Sequence, residues 1–430
     1  MKYPYQIFAA SLLSFLISGS VAFGQRGCAT LEYHNQHGMA GTAGSRAFEE
    51  WIQQAELLEN DKHVQDNDEL YYIPVVVHVL HNGEPVGTDK NLSLERILSQ
   101  IEILNNDYSK APGTPGFNTQ AAGADTRIRF CLASVDPNGQ PTSGIVRVNT
   151  NRDAFDFNTD NATLKGLSIW DPNRYLNLWS VKFSSTQYIG YAQYPFTDSI
   201  PMPQPIPDVQ PDGVVIEYRV FGDVPAGQSG PFPSYNKGRT ATHEIGHYLG
   251  LLHIWGDGFG CPDINGTDYC EDTPKQANFT AGCPASVNSC NTGVPAMFQN
   301  YMDYTNDACM NVFTKDQKRR MRIVMRNAPR RKTLFTTPTQ CGVSGVGDLA
   351  KQIPFTLYPS PAQDELKIQV TEHQTLVSYS VSEITGRTLF SQPALGSAGT
   401  IHIGALPAGV YNLSATDASG KIWHRKFVKQ

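Results

Sequence analysis

No C-x-x-C pair occurs among the eight cysteines of this 430-residue chain, so a tight Cys-rich zinc knuckle is excluded as its organising feature. Positive charge is in deficit: 34 Lys and Arg stand against 40 Asp and Glu, a net charge of -6. A surface built to neutralise phosphates would need the opposite balance. Long apolar runs are also scarce. The one near the start, Ile7 to Ile17, is too short to span a bilayer, and no later segment is long and apolar enough to do so. What is present is the composition of a globular protein, 40% hydrophobic and 17% charged, with no mark of a disordered or fibrous chain.

The N-terminal run follows Lys2 and ends at Ala22-Phe23-Gly24. That order is the pattern of an export signal over residues 1–24, with the exported chain starting at Gln25. Export permits disulfides. Five of the cysteines lie between Cys261 and Cys309 and read as loop staples, with pairing left open by spacing alone.

A polar stretch follows the signal, then an amphipathic helix over 47–60. Residues 71–80, with Val75-Val76-Val77, read as a buried strand. Leu94, Ile97, Leu98, Ile101, Leu104 and Tyr108 recur at helical spacing and predict a helix over 92–108. Further strands are expected at 127–133, 175–183 and 213–221, an order that implies an α/β sheet domain. A last helix is expected over 314–327. The basic run Lys315–Lys332 reads as a solvated helix face, with a processing site at Arg330-Arg331-Lys332 as the rival. The expected divisions are a leading segment over 25–66, an α/β domain over 67–335, a linker over 336–352 and a β-sandwich over 353–430, where short strands alternate with turns.

The chemistry concentrates in HEIGHYLGLLH, His243 to His253. On a helix starting near Thr240, His243 and His247 project from one face, one turn apart. Two imidazoles so placed can bind one zinc ion. Gly250 can take the left-handed conformation that ends a helix, letting His253 return as a third ligand. Three neutral ligands leave one position for water, whose pKa zinc lowers toward neutrality. Glu244, beside the first ligand, is the candidate general base and later the acid for the leaving amine.

HEIGHYLGLLH is the extended metzincin pattern HExxHxxGxxH. With GRTATHEIGH, the methionine-turn-like NYMDYTNDACMNVFTKDQ (Asn300–Gln317) and the spacing of Cys261 to Cys309, the chain resembles the pappalysin metallopeptidases over most of 71–328. The resemblance implies a metzincin-like α/β catalytic domain that hydrolyses protein or peptide substrates. Met302 would form the apolar base under the histidines. Tyr304 would approach the metal and donate a hydrogen bond to the oxyanion. The strand over 213–221 would lie near a substrate-binding sheet edge. Asp307 is a candidate acid for a primed-side pocket. The family pattern pairs Cys261 with Cys290 and Cys283 with Cys309, while Cys270 stands where an apolar residue is expected. Relatives bind calcium in the loop that here holds Asp268, Asp272 and Thr273, oxygen donors suited to Ca²⁺.

Cys28, in RGCAT, precedes the catalytic domain. A thiolate is a good zinc ligand, so Cys28 is expected to fill the open zinc position in a latent form, as in some metzincin zymogens. A disulfide with Cys131, Cys270 or Cys341 is the alternative. Prosegment cleavage is expected between Arg46 and Glu69, with Lys62 as one candidate. At the other end, YPSPAQDELKIQV, EITGRTLF, LPAGVYNLSA and KIWHRKFVKQ resemble the C-terminal sorting domain of type IX secretion substrates, an immunoglobulin-like all-β sandwich, with Ser360 where Asn is usual. That resemblance implies export through the periplasm of a Gram-negative bacterium, to the medium or the cell surface. The rival reading from another class is a surface adhesin whose zinc helix is only structural.

Overall fold

The computed structural model describes residues 27–37, 44–61, 69–197, 211–256, 260–261, 268–288, 290, 293–335, 341, 355–359, 361–370, 376–383, 387–393, 398–417 and 422–430. The expected signal segment, Lys62 and all of the expected linker but Cys341 lie outside them. The chain divides into two compact units, residues 1–338 and 339–430.

In the first unit β1 (Tyr71–His81) is the central strand. Its interior is buried on both faces, as a run of valines in a parallel sheet requires. It pairs in parallel with β2 (Ile128–Leu132), β3 (Ile145–Asn149) and β4 (Leu176–Val181). Next to β4 lies β6 (Val214–Glu217), also parallel, and outside β6 lies the three-residue antiparallel strand β5 (Gly190–Ala192). One edge of the sheet is therefore β5. The strand expected there, within 213–221, is one position further in. Side-chain alternation gives the sheet two faces. Leu178, Val214, Ile216 and Ala192 share a core with the helices, whereas Trp179, Val181, Val215 and Tyr191 form a separate cluster on the other face.

Two helices pack on the first face. They are α3 (Leu94–Tyr108), capped by Ser93, and α5 (Arg239–Tyr248), in which every residue is buried. The helix α6 (Lys315–Asn327) starts at a capping box, in which Thr314 and Gln317 satisfy each other's backbone N–H groups. Before the sheet come α1 (Thr30–His37) and α2 (Arg46–Asp61); α4 (Asn161–Gly166) precedes β4. α1 falls in the stretch read only as polar.

The basic run on and after α6 is not a solvated face. Arg320 and Arg322 are buried. Arg320 grips Glu49 of α2 at 2.7 Å with a second short contact, and also donates to the Gly250 carbonyl. Arg326 holds Glu59 of α2 at 2.6 and 2.8 Å. Arg331, fully buried, pairs with Asp212 at 2.7 and 3.1 Å, lies over the Tyr248 ring and donates to the Tyr248 carbonyl at the end of α5. A buried arginine tied in this way is no protease site, which overturns the processing alternative at Arg330-Arg331-Lys332.

In the second unit the described strands pair with one another antiparallel, and a single parallel bridge joins Ala362 to Lys429. One sheet runs β10 (Thr388–Pro393), β9 (Leu376–Glu383), β12 (Gly409–Asp417), β13 (Ile422–Lys429). The other runs β11 (Ala398–His402), β8 (Glu365–Val370), β7 (Phe355–Tyr358). Phe355, Leu366, Val381, Leu413 and Phe427 share one core, as in a sandwich whose inner faces alternate with polar outer ones.

Asp212→Ala would leave the Arg331 guanidinium buried without its counter-ion. The expected loss is about 3–5 kcal/mol of stability, read as a shift of the denaturant midpoint of the first unit. A midpoint within error of the parent would show that the pair is dispensable.

Candidate active site

Packing against α3, β5 and β6 buries all of α5. Its N-cap is Gly238, at φ 69 and with no side chain to offer. Asp307 supplies the cap instead, accepting from the backbone N–H of Lys237 (2.8 Å) and Arg239 (3.2 Å). A carboxylate there satisfies orphan donors and favours the helix dipole. Asp307 is fully buried in this role, so it is not available to line a primed-side pocket. Asp107 of α3 holds the next turn. It accepts from the Thr242 hydroxyl (2.8 Å) and pairs with Arg239 (3.4 Å). Burial raises its pKa to about 6 against the opposing pull of Arg239.

α5 places His243 and His247 on one face, and Gly250, at φ +94, turns the chain so that His253 returns. The three Nε2 atoms lie 3.1, 3.1 and 3.3 Å apart, and all three residues are buried. A tetrahedral ion with Zn–N bonds of about 2.0–2.1 Å separates its ligand nitrogens by roughly 3.3 Å, so the donor set fits zinc. The opposite ring atoms point at carbonyls: His243 Nδ1 to Tyr301 O (2.6 Å) and His247 Nδ1 to Leu251 O (2.8 Å). Donation from Nδ1 leaves each Nε2 lone pair free for a metal. Burial first, then the neighbouring His253 ring, pushes the His247 pKa well down, toward the neutral form that metal binding needs.

The floor is Met302, fully buried. A Cβ at Gly246 would meet its sulfur at 2.5 Å, so only glycine lets helix and turn approach this closely. Asn300 fixes that turn, accepting from Met302 N while exchanging two amide bonds with Gln317 of α6. The Tyr304 ring stands 5.0 Å from the His253 ring and 5.7 Å from that of His243, among Trp255 and Phe279. Asp303 binds this turn to the preceding loop through Gln276 and Thr280 N. Disulfides Cys261–Cys290 and Cys283–Cys309 staple the same region. Cys131 and Cys341 are also disulfide-bonded, whereas Cys28 and Cys270 are free thiols.

Among the described residues, the group that could hold a metal is Cys28, His243, His247 and His253, with ligand atoms all within 4.8 Å of one another. Cys28 Sγ lies 3.3 Å from Glu244 Oε2, and the Thr30 hydroxyl donates to the same oxygen at 2.9 Å. Burial, then the Glu244 carboxylate, pushes the Cys28 thiol well above its ordinary range. Residues 27–30 reach the site by pairing with β5: Ile189 N donates to Gly27 O, Ala29 N to Gly190 O, and Ala192 N to the Thr30 hydroxyl. Thr30, Asp107 and Asp303 escaped sequence reasoning, since lone polar residues carry no spacing signal. The calcium expectation gains no support. The Thr273 hydroxyl donates to both Asp268 oxygens, and Asp272 Oδ2 accepts from Asp316 N.

Comparison with known proteins agrees with this geometry. Residues 227–326 match the peptidase M43 family described as pregnancy-associated plasma protein-A, and residues 356–430 match the secretion system C-terminal sorting domain. The chain is similar to Tannerella forsythia mature mirolysin in complex with a cleaved peptide. They are 39% identical, covering 64% of this chain and 98% of that one, with a TM-score of 0.55. A promirolysin mutant from the same organism is 35% identical over 74% of this chain and 99% of its own, with a TM-score of 0.59. An extracellular metalloprotease of Verticillium alfalfae is 30% identical over 62% of this chain and 82% of its own length. These likenesses set the adhesin reading aside. The chain belongs to the pappalysin (M43) family of metallopeptidases and carries a type IX secretion sorting domain.

Proposed function

We propose that the chain is a zinc-dependent endopeptidase made in a latent form, its own residues 27–37 lying over the active site and residues 44–61 against the helix behind it. The observation that carries the reading is the convergence of three buried Nε2 atoms at 3.1–3.3 Å beside the Glu244 carboxylate. His243, His247 and His253 would hold the ion. Zinc bound there supplies Lewis acidity, polarising a carbonyl and lowering the pKa of water to near neutrality.

This chain's own groups do the rest. Glu244, one residue along α5 from His243, is the proton carrier. It takes the proton of the attacking water and returns it to the leaving amine. Tyr304 donates its phenolic hydrogen to the oxyanion as the carbonyl becomes tetrahedral. β5 offers the edge on which an extended substrate pairs by main-chain bonds; residues 27–29 use those bonds in the structure described here, and the Thr30 hydroxyl accepts from Ala192 N. Met302 and Gly246 keep the floor rigid beneath the imidazoles.

Latency follows from the same contacts. Cys28 offers a fourth donor to the ion, and both Cys28 and Thr30 engage the oxygen of Glu244 that would accept a proton. Ion pairs between α2 and α6 anchor the segment from behind. We assign residues 25–66 to the prosegment, 67–335 to the catalytic domain, 336–352 to a linker and 353–430 to the sorting sandwich. The export route is through the periplasm of a Gram-negative bacterium.

Three outcomes test this reading. Glu244→Ala in matured protein should lose about 10²–10⁴-fold in peptide hydrolysis, measured on a peptide library, with bound zinc unchanged; activity within twofold of the parent removes Glu244 from the chemistry. Cys28→Ala in the full chain should release activity early and speed self-cleavage, followed by zymogram over time. A variant as inert as the parent would end the switch assignment. Deleting residues 353–430 should leave active protein trapped in the periplasm, and normal export of that truncation would refute the sorting role.

A further inference from the structure

Lys165 is fully buried, and nothing in the peptidase chemistry uses it. It sits at the end of α4, on the sheet face opposite the zinc helix, in the cluster formed by Trp179, Tyr191 and Val215. Its ammonium donates to the Gln193 side chain and stands 5.0 Å from the ring centre of Tyr191 and 5.5 Å from that of Trp179. The remaining wall is Tyr33, which belongs to α1 in the proposed prosegment. Its ring stacks on Tyr191 at 5.7 Å and 28°, and its centre lies 5.9 Å from the ammonium. Asn161 Nδ2 donates to the Tyr33 hydroxyl at 3.0 Å, while the Tyr191 hydroxyl donates to Asn161 Oδ1 at 2.9 Å and fixes that amide. Tyr33 is only 2% exposed.

The prosegment thus does more than block zinc. It turns around the edge strand β5 and seats one phenol in a polar-tipped aromatic slot behind the sheet. When residues 25–66 leave, the slot loses one wall, but Tyr191, Trp179, Asn161, Gln193 and Lys165 all stay with the catalytic unit. We propose that in the matured enzyme this slot is an exosite for a tyrosine side chain of protein substrates. The ring would stack on Tyr191 beside the Lys165 ammonium, and the hydroxyl would take the Asn161 amide hydrogen.

Aromatic stacking and a cation over a ring favour any aromatic group, and the Asn161 donor selects tyrosine over phenylalanine. With Tyr33 in place, burial pushes the Lys165 pKa well down. Tyr33 lies five residues beyond Cys28, in the first turn of α1 that follows the segment paired with β5, so a substrate that turns off the edge as this segment does reaches both places. The inference rests on the proposed departure of the prosegment.

The test uses Glu244→Ala protein, freed of its prosegment by limited proteolysis, so that binding is read without hydrolysis. The probe is a fluorescent peptide of residues 27–37 carrying Cys28→Ser, which removes the thiol contribution. In that peptide Tyr33→Ala should weaken binding about 10-fold, and Tyr33→Phe roughly 3–10-fold. Equal affinity of the parent and Tyr33→Ala peptides would overturn the proposal. Lys165→Met in the protein should reduce the parent-to-alanine ratio to about 2; an unchanged ratio would remove Lys165 from the slot. The peptide variants decide the matter even where Lys165→Met fails to fold. In the Glu244-intact enzyme, a tyrosine scanned along a substrate should lower KM at one fixed distance from the scissile bond and leave kcat unchanged, and a flat profile would contradict an exosite for substrates. Should the intact enzyme cleave nothing while the peptide series behaves as expected, the peptidase reading fails and the slot stands.

Discussion

Three imidazole nitrogens brought within 3.1–3.3 Å of one another set the constraint that the catalytic unit is built around. Lone pairs aimed at one buried point repel unless a cation sits among them, and the fold spends many polar contacts on keeping them so aimed. The carbonyls of Tyr301 and Leu251 orient two rings. Asp307 and Asp107 hold the first turn of α5, and Arg331 holds the carbonyl of its last residue, Tyr248. Each of these groups is buried, so its hydrogen bonds act in a low dielectric and a missing partner would be costly. A rigid ligand set binds its ion without paying to order the side chains.

The second theme is how one short segment can suppress the site. Residues 27–37 take the β5 edge, the Glu244 carboxylate and the slot beside Lys165, while α2 is held by Arg320 and Arg326. These contacts differ in weight. The Arg320–Glu49 pair is buried, with side chains 4% and 5% exposed, and removing one partner there is costly. Arg319–Glu56 is 51% and 29% exposed and contributes little. In the proposed latent form, suppression of the site therefore rests on contacts of both α1 and α2, and cutting between them would free two pieces with separate affinities.

Much of this was legible in the sequence, for physical reasons. Histidines at i and i+4 must share a helix face, and a glycine three residues on permits the reversal. The parallel core strand and α3 declared themselves by their apolar period. Other features carried no period. β5 is three residues long, below what alternation can reveal, and the edge fell to its neighbour β6. α1 reads as polar because Leu31 and Tyr33 are its only apolar residues, too few to show a period, and its Thr30 hydroxyl and His34 ring accept from the backbone N–H groups of Ala192 and Tyr194. The run from Lys315 to Lys332 looked solvated because charge alone does not reveal partners 119 to 271 residues away. Asp307 lies close in sequence to the methionine turn, but its carboxylate faces the backbone of α5.

The central claim is one zinc ion gripped by three imidazoles, with a fourth position that changes hands on maturation. Zinc K-edge X-ray absorption on the full chain and on the matured enzyme addresses it directly. One ion per chain should show a first shell of three nitrogens and one sulfur before prosegment removal, and three nitrogens and one oxygen afterwards. A full chain without zinc, or a matured enzyme that keeps a sulfur in the shell, would contradict it.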